Sequence, residues 1–405
     1  MPNPFSFGGP VSGLAFTGRE QETALLVAWV RGGVNVVVAS PRRYGKTSLL
    51  GRAEQELARS DPAAALVATN VLLCRDVDTL ASRLAAGVYR VPGARWHRST
   101  QAIVEFSKRL RLRPRISIDD EGRPMFAFGD LRQKDADVVI EDVYRLLDEE
   151  ATRRPAALVL DEFQAIVRHG AHLPDLLKGL ADEHPHVSLV LAGSQQHLME
   201  ALVFSRQAPL YGMAERLALG PIPEDEMVAF LETSASTAGK PMRDGAASSL
   251  VALAGPVPND IQRLAWEAYN LAPGEITPEV VARAFEEGVA HESNAFADRL
   301  ASLTPAQARV LMGIASPGDL PLFSARFARR AGLASGASVK RAVEALESAE
   351  LVVRRDGRYR VVDPYLAHWL RGVQTVAGPT APGSTDPGST PPGSTPPGST
   401  HPGSA

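Results

Sequence analysis

Residues 34–50, VNVVVASPRRYGKTSLL, combine residue types that bind a polyphosphate. Apolar residues from Val34 to Ala39 predict a buried strand, Ser40 to Gly45 a tight loop, and Lys46-Thr47 the start of a helix. In that order, backbone N–H groups and the positive end of the helix dipole hold the phosphates. We therefore predict a phosphate-binding P-loop, and a chance Gly-Lys-Thr after an apolar strand is the alternative.

Each residue type in this loop implies a contact. Lys46 would reach the β- and γ-phosphates, the Thr47 hydroxyl would bind Mg²⁺, and Gly45 would let the backbone approach the phosphates. Ser40 stands where the pattern G-x-x-x-x-G-K-[ST] has its first glycine. The residues expected to contact a nucleotide are Ser40, Pro41, Arg42, Arg43, Tyr44, Gly45, Lys46, Thr47 and Ser48.

Two adjacent carboxylates, Asp161 and Glu162, follow the apolar run AALVL at residues 156–160. A parallel strand there would deliver both side chains at its carboxyl end, where ligands bind in open α/β sheets. Asp161 would complete the Mg²⁺ shell through water, and Glu162 would activate the attacking water as general base. An apolar run ending in Asp-Glu is common by itself, but together with an upstream P-loop it indicates a nucleotide hydrolase.

A third apolar run, Val187 to Gly193, ends in Ser194. If this strand lies beside the P-loop strand, Ser194 can hydrogen-bond to the γ-phosphate or to the water. Capping of a helix that begins near Gln196 explains the serine equally well, and both roles are compatible.

Two arginines, Arg206 and Arg216, flank the string Pro209 to Gly212. Either could serve as an arginine finger, within the chain or toward a neighbouring subunit. We place Arg206 in the predicted catalytic set, and an ordinary surface arginine is the alternative for each.

Composition limits the class of protein. A chain of 405 residues suggests two or three domains, and 44% hydrophobic with 22% charged residues is typical of a globular protein. The formal net charge of −3 restricts any nucleic-acid surface to a local patch. A single cysteine excludes an intramolecular disulfide, and the first residues lack a signal-peptide pattern. With no apolar run of about 18 residues, we expect a cytoplasmic protein without a membrane span.

The alternation of apolar runs and helical periodicity predicts the elements that position these residues: an α/β P-loop domain with a parallel sheet and helices on both faces. We divide the chain into a flexible N-terminus (1–15), the P-loop domain (16–220) with a hairpin insertion near 113–130, a helical lid (221–300), a winged helix-turn-helix (301–373) and a disordered PGST-repeat tail (374–405). In the lid, Pro258 could pack against a base or could simply start a helix.

Residues 303–371 predict three helices followed by a hairpin that turns at Asp356-Gly357, which is the pattern of a winged helix. Basic residues outnumber acidic ones between Arg309 and Arg371. Those that could contact DNA are Lys340 and Arg341 on the third helix and Arg354, Arg355 and Arg358 on the wing. A protein contact or plain packing is the alternative role for such a domain.

On these residues the chain resembles the archaeal-type ATPases of the STAND/AAA+ group of P-loop NTPases. The family's Gly-Pro-Arg-Arg-x-Gly-Lys-Thr-Ser-Leu corresponds to Ser40–Leu49, its Leu-Asp-Glu-Phe-Gln to Leu160–Gln164, and its Phe-x-Gly-Arg-Glu to Phe16–Glu20. Its Gly-Gly-x-Pro element corresponds to Gly255–Pro258, with Pro256 in place of the second glycine, and its Tyr-x-x-x-Asp-Pro ending to Tyr359–Pro364.

The resemblance implies a switch that binds ATP and Mg²⁺, hydrolyses ATP, and couples nucleotide state to partner binding through the winged helix. It implies that the segment carrying Phe16 and Arg19 covers the base. The partners it implies are ATP, DNA through the winged helix, a protein partner, and further copies of the chain in a nucleotide-dependent oligomer. The alternatives are a nucleotide-gated DNA-binding regulator with little or no hydrolysis, and a scaffold with a vestigial P-loop.

Overall fold

The computed structural model describes residues 2–94, 101–129, 131–316, 320–355 and 357–377. The chain divides into two compact units. Among the described residues, unit 1 runs to Asn294 and includes Asp363–Tyr365, and unit 2 comprises those of 295–362 and 366–377. Of the predicted tail, the part from residue 378 lies outside the described residues.

The strands are β1 (Val36–Ala39), β2 (Ala65–Asn70), β3 (Arg115–Ile118), β4 (Pro124–Ala127), β5 (Ala156–Asp161), β6 (Val187–Gly193), β7 (Glu215–Ala218), β8 (Val352–Arg355) and β9 (Arg358–Val361). The helices are α1 (Glu20–Arg31), α2 (Lys46–Ser60), α3 (Val77–Tyr89), α4 (Ala102–Arg109), α5 (Gln133–Ala151), α6 (Leu173–Glu183), α7 (Gln196–Met199), α8 (Glu224–Thr237), α9 (Ala246–Ala254), α10 (Pro258–Leu271), α11 (Pro278–Ala301), α12 (Pro305–Ala315), α13 (Ala325–Arg330), α14 (Gly336–Ser348) and α15 (Pro364–Ala377). Among the described residues, no helix is both long and apolar enough to cross a membrane.

Unit 1 is built on a five-stranded sheet with the order β2-β5-β6-β1-β7, and every neighbouring pair is parallel. The predicted parallel α/β fold is therefore confirmed. In this order β6 pairs with both β1 and β5, and Ala39 lies opposite Gly193. Because the strands are parallel, the residues that follow β1, β5 and β6 meet at one carboxyl edge of the sheet.

Helices cover both faces of the sheet because its strands are apolar on both sides. Val36 and Val38 face one core, to which α1 and α2 contribute Leu26, Leu49 and Leu57. The alternate residues Val37 and Ala39 face the other core, which includes α3, α5 and α6. The P-loop helix α2 is thus packed on the sheet directly after the strand that precedes it.

Strand β7 is not predicted by the sequence. Only Leu217 of its four residues is buried, so the segment lacks the apolar run that marks the other strands. Its pairing with β1 supplies the backbone hydrogen bonds that fix it as a strand.

The segment near residues 113–130 forms a separate two-stranded antiparallel sheet of β3 and β4, in which Ile116 pairs with Phe126. Phe126 is buried, and its ring lies 5.3 Å from the ring of Phe106 on α4. Burial of this one aromatic side chain attaches the hairpin to unit 1.

The N-terminal segment differs from the expectation of a flexible lead-in. Phe5 is 3% exposed, and its ring lies 6.2 Å from that of Phe230 and 6.3 Å from that of Tyr269, edge to face. Backbone N–H groups of Ser6 and Gly8 donate to the side chains of Gln262 and Asn259 on α10. The Pro/Gly-rich composition hid this anchoring because one buried aromatic and a few hydrogen bonds are enough to hold a short segment.

Unit 2 has the three helices α12, α13 and α14 followed by the antiparallel pair β8 and β9. Hydroxyl side chains start all three helices: Thr304 forms a capping box with Gln307, and Ser324 and Ser335 accept hydrogen bonds from the first turns of α13 and α14. This arrangement is the predicted winged helix. Asp356 of the predicted turn lies outside the described residues.

Candidate nucleotide-binding site

A cleft of about 860 Å³ lies in unit 1, and residues of the P-loop, Glu162 and Ser194 line it together. This volume lies within the range of small-molecule sites. Further lining residues come from the N-terminal segment at residues 7–10 and from α10 and α11. The residues from those two helices are Asn259, Arg263, Trp266, Glu267, His291 and Glu292.

The P-loop backbone has two residues in the left-handed region, Arg43 at φ +69° and Gly45 at φ +85°. Gly45 is the N-cap of α2, so no side chain covers the first turn of that helix. Glycine relieves the strain of a positive φ at that position. Ser40 is outside the left-handed region, which explains how serine can replace the first glycine of the pattern.

The Lys46 side chain is 5% exposed and folds back along the loop. Its ammonium group donates to the carbonyl oxygens of Ser40 at 2.9 Å and Pro41 at 3.0 Å. The loop therefore places a buried positive charge beside the N-terminus of α2, and both features attract a phosphate.

Thr47 and Asp161 meet directly. The Thr47 hydroxyl donates to Asp161 Oδ2 at 2.8 Å, and Asp161 Oδ1 accepts from the Glu162 N–H at 2.9 Å. Burial raises the pKa of the Asp161 carboxyl, while the hydrogen bonds from Thr47 and Glu162 oppose that rise. A hydroxyl and a carboxylate oxygen side by side are donors that suit Mg²⁺, so these two residues fit the predicted metal site.

Glu162 adopts a left-handed backbone conformation, with φ +51°. The chain turns sharply there from β5 into a short 3₁₀-helix, Phe163–Arg168. Glu162 Oε2 accepts a hydrogen bond of 3.0 Å from the Ser194 hydroxyl. The structure thus brings the predicted general base and the predicted sensor into contact, through the pairing of β5 with β6.

Arg43 connects the P-loop to the lid. Its Nη1 lies 3.2 Å from Asp260 Oδ1 and 3.7 Å from Asp363 Oδ2. Asp260 is 2% exposed, and burial raises the pKa of its carboxyl while the Arg43 charge opposes that rise. The Asn259 N–H also faces the Arg43 carbonyl oxygen, at 3.4 Å.

The residues that were predicted to contact the base of the nucleotide do not line the cleft. These residues are Phe16, Arg19 and Pro258. Arg19 is buried and donates to the Gly220 carbonyl oxygen and to Glu22, so it fixes the start of α1. Phe16 packs beside the α1–α2 core, and Pro258 is the first residue of α10.

The two candidate arginine fingers also lie outside the set of lining residues. Arg206 is exposed in the turn before β7, and the Arg216 guanidinium lies 4.2 Å from the centre of the Phe204 ring. The structure therefore does not bring either arginine together with Lys46, so a role for Arg206 within the same chain has no geometric support.

Sequence reasoning missed an aromatic pair at the cleft. The rings of Phe7 and Trp266 lie 5.6 Å apart, and these side chains are 38% and 39% exposed. Two aromatic side chains that stay accessible beside a P-loop suit a flat ring. The sequence does show a tryptophan, Trp266, on the helix that begins at Pro258. Only the folded chain places it near Phe7.

The predicted nucleic-acid residues lie in unit 2, on α14 and on the β8–β9 wing. Lys340, Arg341, Arg354 and Arg358 are exposed, and Arg355 is half-buried. Lys340 Nζ is 3.9 Å from Glu344 Oε1, and the Arg354 guanidinium lies 6.0 Å from the centre of the Tyr359 ring.

Comparisons with known proteins agree with this architecture. Residues 294–372 match the family of probable winged helix domains. The chain is similar to the solved structure of a Walker-type ATPase of Pyrococcus abyssi, with a TM-score of 0.62 and 19% identity, over 91% of this chain and 99% of that one. The protein has the fold of a Walker-type ATPase with a C-terminal winged helix. At this identity the likeness establishes the fold alone.

Two other similar structures have lower scores. One is the Aeropyrum pernix ORC1 protein in complex with DNA, with a TM-score of 0.45 and 17% identity over 89% of this chain and 94% of that one. The other is the Thermotoga maritima RuvB Holliday junction branch migration motor, with a TM-score of 0.43 and 15% identity over 89% and 97%. A search of curated proteins gave no match. The predicted Walker-type fold with a winged helix is confirmed by the Pyrococcus abyssi structure together with the domain match.

Replacing Asp161 by asparagine should separate stability from metal binding. Because the pKa of Asp161 is raised by burial, the folded chain keeps this proton to a higher pH than the unfolded chain. The free energy of unfolding of the wild type therefore decreases as pH rises from the ordinary pKa of aspartate to the raised pKa of Asp161. Above the raised pKa, the full cost of burying the charged carboxylate is present. Asparagine has no charge to bury, and its amide can donate to Thr47.

By scanning calorimetry at pH 7 without nucleotide, we expect Asp161→Asn to melt at or above the wild-type temperature, and to lose that advantage at acidic pH. At 100 times Kd, Mg·ATP should stabilise the wild type by about 2.7 kcal/mol and the variant far less. An uncomplexed variant that melts well below the wild type would contradict the assignment of a raised pKa.

Proposed function

We propose that this protein is an Mg²⁺-dependent ATPase whose nucleotide state controls the binding of a partner. The observation that carries this proposal is the 2.8 Å hydrogen bond between Thr47 and Asp161, which joins the P-loop helix to the acidic end of β5. Glu162 and Ser194 line the same cleft. The residue types that phosphoryl transfer to water requires are therefore within one site.

In this proposal Lys46 leaves its loop carbonyls and binds the β- and γ-phosphate oxygens, and the first turn of α2 faces the same phosphates. Mg²⁺, bound through Thr47 and Asp161, would neutralise phosphate charge. Glu162 accepts a proton from water as the water oxygen bonds to the γ-phosphorus. The bond from that phosphorus to the bridging oxygen breaks, so the products are ADP and phosphate.

The adenine base of the nucleotide is proposed to lie against Phe7 and Trp266, because these aromatic side chains line the cleft. The side chains of Phe16, Arg19 and Pro258 do not line it. Asn259, whose side chain also holds the Gly8 N–H at 3.0 Å, places the N-terminal segment beside α10. The N-terminal segment and the lid together would thus form the wall opposite the P-loop.

Replacing Glu162 by glutamine should stop hydrolysis and preserve binding. The amide keeps the side-chain size but cannot accept the proton, so phosphate release should fall by about 10²- to 10⁴-fold. ATP affinity, measured by calorimetric titration, should change little. Glu232→Gln, an exposed substitution on α8, is the matched control.

Phosphate release at the wild-type rate by Glu162→Gln would refute its role as general base. Absence of phosphate release by the wild type, with and without DNA, would refute the ATPase proposal itself. Light scattering of Glu162→Gln with ATP would also show whether the ATP-bound chain forms an oligomer, in which the exposed Arg206 could act on a neighbouring site.

Replacing Trp266 by alanine should weaken nucleotide binding, because the variant loses the contact with the base of the nucleotide. Stacking of a base on an aromatic side chain contributes about 1–3 kcal/mol, so Kd for ATP should rise by roughly 5- to 150-fold. Trp266→Phe retains a ring and should lose much less. Inorganic triphosphate, which has no base, should bind both variants as it binds the wild type. Equal losses for triphosphate and ATP would show that Trp266 acts on the phosphate site.

The second candidate function is a nucleotide-gated DNA-binding regulator, and the exposed arginines of the wing favour it. If the wing contacts phosphates, each of Arg354→Ala and Arg358→Ala should weaken binding to duplex DNA across sequences and reduce the salt slope of log K by about 1. Fluorescence anisotropy with and without ATP measures both effects. Arg283→Ala, an exposed arginine of α11, is the control. Unchanged DNA binding by both wing variants would refute contact between these arginines and DNA.

A further inference from the structure

Gln164 lies directly behind the proposed general base and has no role in the function described above. It is the second residue of the 3₁₀-helix Phe163–Arg168, and it is 5% exposed. Gln164 does not line the cleft, whereas Glu162 and Ser194 do. It can therefore act on a substrate only through those two side chains.

Two donors converge on one oxygen of Glu162. Gln164 Nε2 lies 2.5 Å from Glu162 Oε2, and the Ser194 hydroxyl donates to the same Oε2 at 3.0 Å. Gln164 Nε2 is also 3.5 Å from Ser194 Oγ. Hydrogen bonds to a carboxylate are strong because the acceptor is charged, so together they fix the orientation of the Glu162 side chain.

The side-chain amide of Gln164 donates through Nε2 toward Glu162 and Ser194. Among the described residues its amide oxygen, Oε1, is buried without a hydrogen-bond partner. Gly193 keeps space for it, since a Cβ on Gly193 would lie 2.8 Å from Gln164 Oε1 and would clash with Met199 Sδ.

Ser194 has a single hydroxyl proton, so it can donate to Glu162 or to a phosphate oxygen, but not to both. The Gln164 amide is not exposed to the cleft and has no such competitor. If a bound phosphate accepted the serine hydroxyl, the amide would keep its hydrogen bond to Glu162 Oε2, and Glu162 Oε1 would be left to accept a proton from water.

We propose that Gln164 is a positioning residue that holds the Glu162 carboxylate in place as the base, while Ser194 exchanges its hydrogen bond between Glu162 and the nucleotide. This inference rests on the proposed ATPase function. It adds a residue that the P-loop, the acidic pair and the serine do not include.

The test is Gln164→Met, which keeps the length and unbranched shape of the side chain and removes both its donor and its unsatisfied oxygen. We expect kcat to fall by about 10- to 100-fold through misplacement of the Glu162 carboxylate, and KM for ATP to stay within about twofold. Thr23→Val is the matched control, because Thr23 on α1 is also 5% exposed with a buried oxygen that has no partner among the described residues. It should leave kcat unchanged.

Two further variants separate positioning from a general structural effect. In the double variant Glu162→Gln/Gln164→Met, turnover should be no slower than in Glu162→Gln, because the second change acts only through Glu162. Gln164→Glu keeps the side-chain length but replaces the amide donor to Glu162 by a second carboxylate, so kcat should fall at least as far as in Gln164→Met. Gln164→Met turnover at the wild-type rate, or full additivity in the double variant, would overturn the proposal.

A spectroscopic measurement distinguishes failure of this inference from failure of the ATPase proposal. In protein labelled with ¹³C at glutamate carboxyl groups, the resonance lost in Glu162→Gln identifies Glu162. It should shift in Gln164→Met and not in Thr23→Val. A wild type that releases no phosphate refutes the ATPase function, whereas an unshifted Glu162 resonance refutes the contact with Gln164, whatever the turnover.

Discussion

The hydrogen bond between Thr47 and Asp161 is the contact on which the whole site depends. It joins residues 114 positions apart in sequence, one at the start of the P-loop helix and one at the end of β5. Strand β1, which precedes the P-loop, and strand β5, which ends at Asp161, are not neighbours, because β6 lies between them and pairs with both. The sheet order therefore places Ser194, which follows β6, in the same cleft as the phosphate-binding loop and Glu162.

Several features of the site oppose folding and are maintained by the packing around them. Arg43 and Glu162 are non-glycine residues in left-handed conformations, which cost about 1–3 kcal/mol each. Burial raises the pKa of both Asp161 and Asp260, so each carboxylate carries a desolvation cost at neutral pH. Two extensive apolar cores, one on each face of the sheet, can offset such costs. Local rules broken together at one place are typical of a functional site.

Elements with little sequence signal supply further residues that line the cleft. The N-terminal segment is held by Phe5 in an aromatic cluster and by side chains of α10. Its Val11 N–H donates to the Ser48 hydroxyl on the P-loop helix at 2.9 Å. Arg43 contacts Asp260 on α10, so the P-loop is joined by an ion pair to the helix that carries Trp266.

The sequence by itself determined the candidate site residues and most of the elements. The apolar run before Ser40, the Gly45-Lys46-Thr47 triplet and the carboxylates after β5 are local patterns, and local patterns survive folding because strand ends and helix starts are set by neighbouring residues. The winged helix was predictable for the same reason, since hydroxyl caps and a hairpin mark its elements.

Only the tertiary structure decided which distant residues share the cleft. Sequence motifs predicted that Phe16, Arg19 and Pro258 contact the base of the nucleotide, but these residues do not line the cleft. Phe7 and Trp266 line it instead. Strand β7 was identified from its pairing with β1. The proposed role of Gln164 was identified from its contact with Glu162. Such contacts depend on the order of strands and on which side chains are buried together. A single sequence does not encode these in any short window, because they are set by the packing of the whole unit.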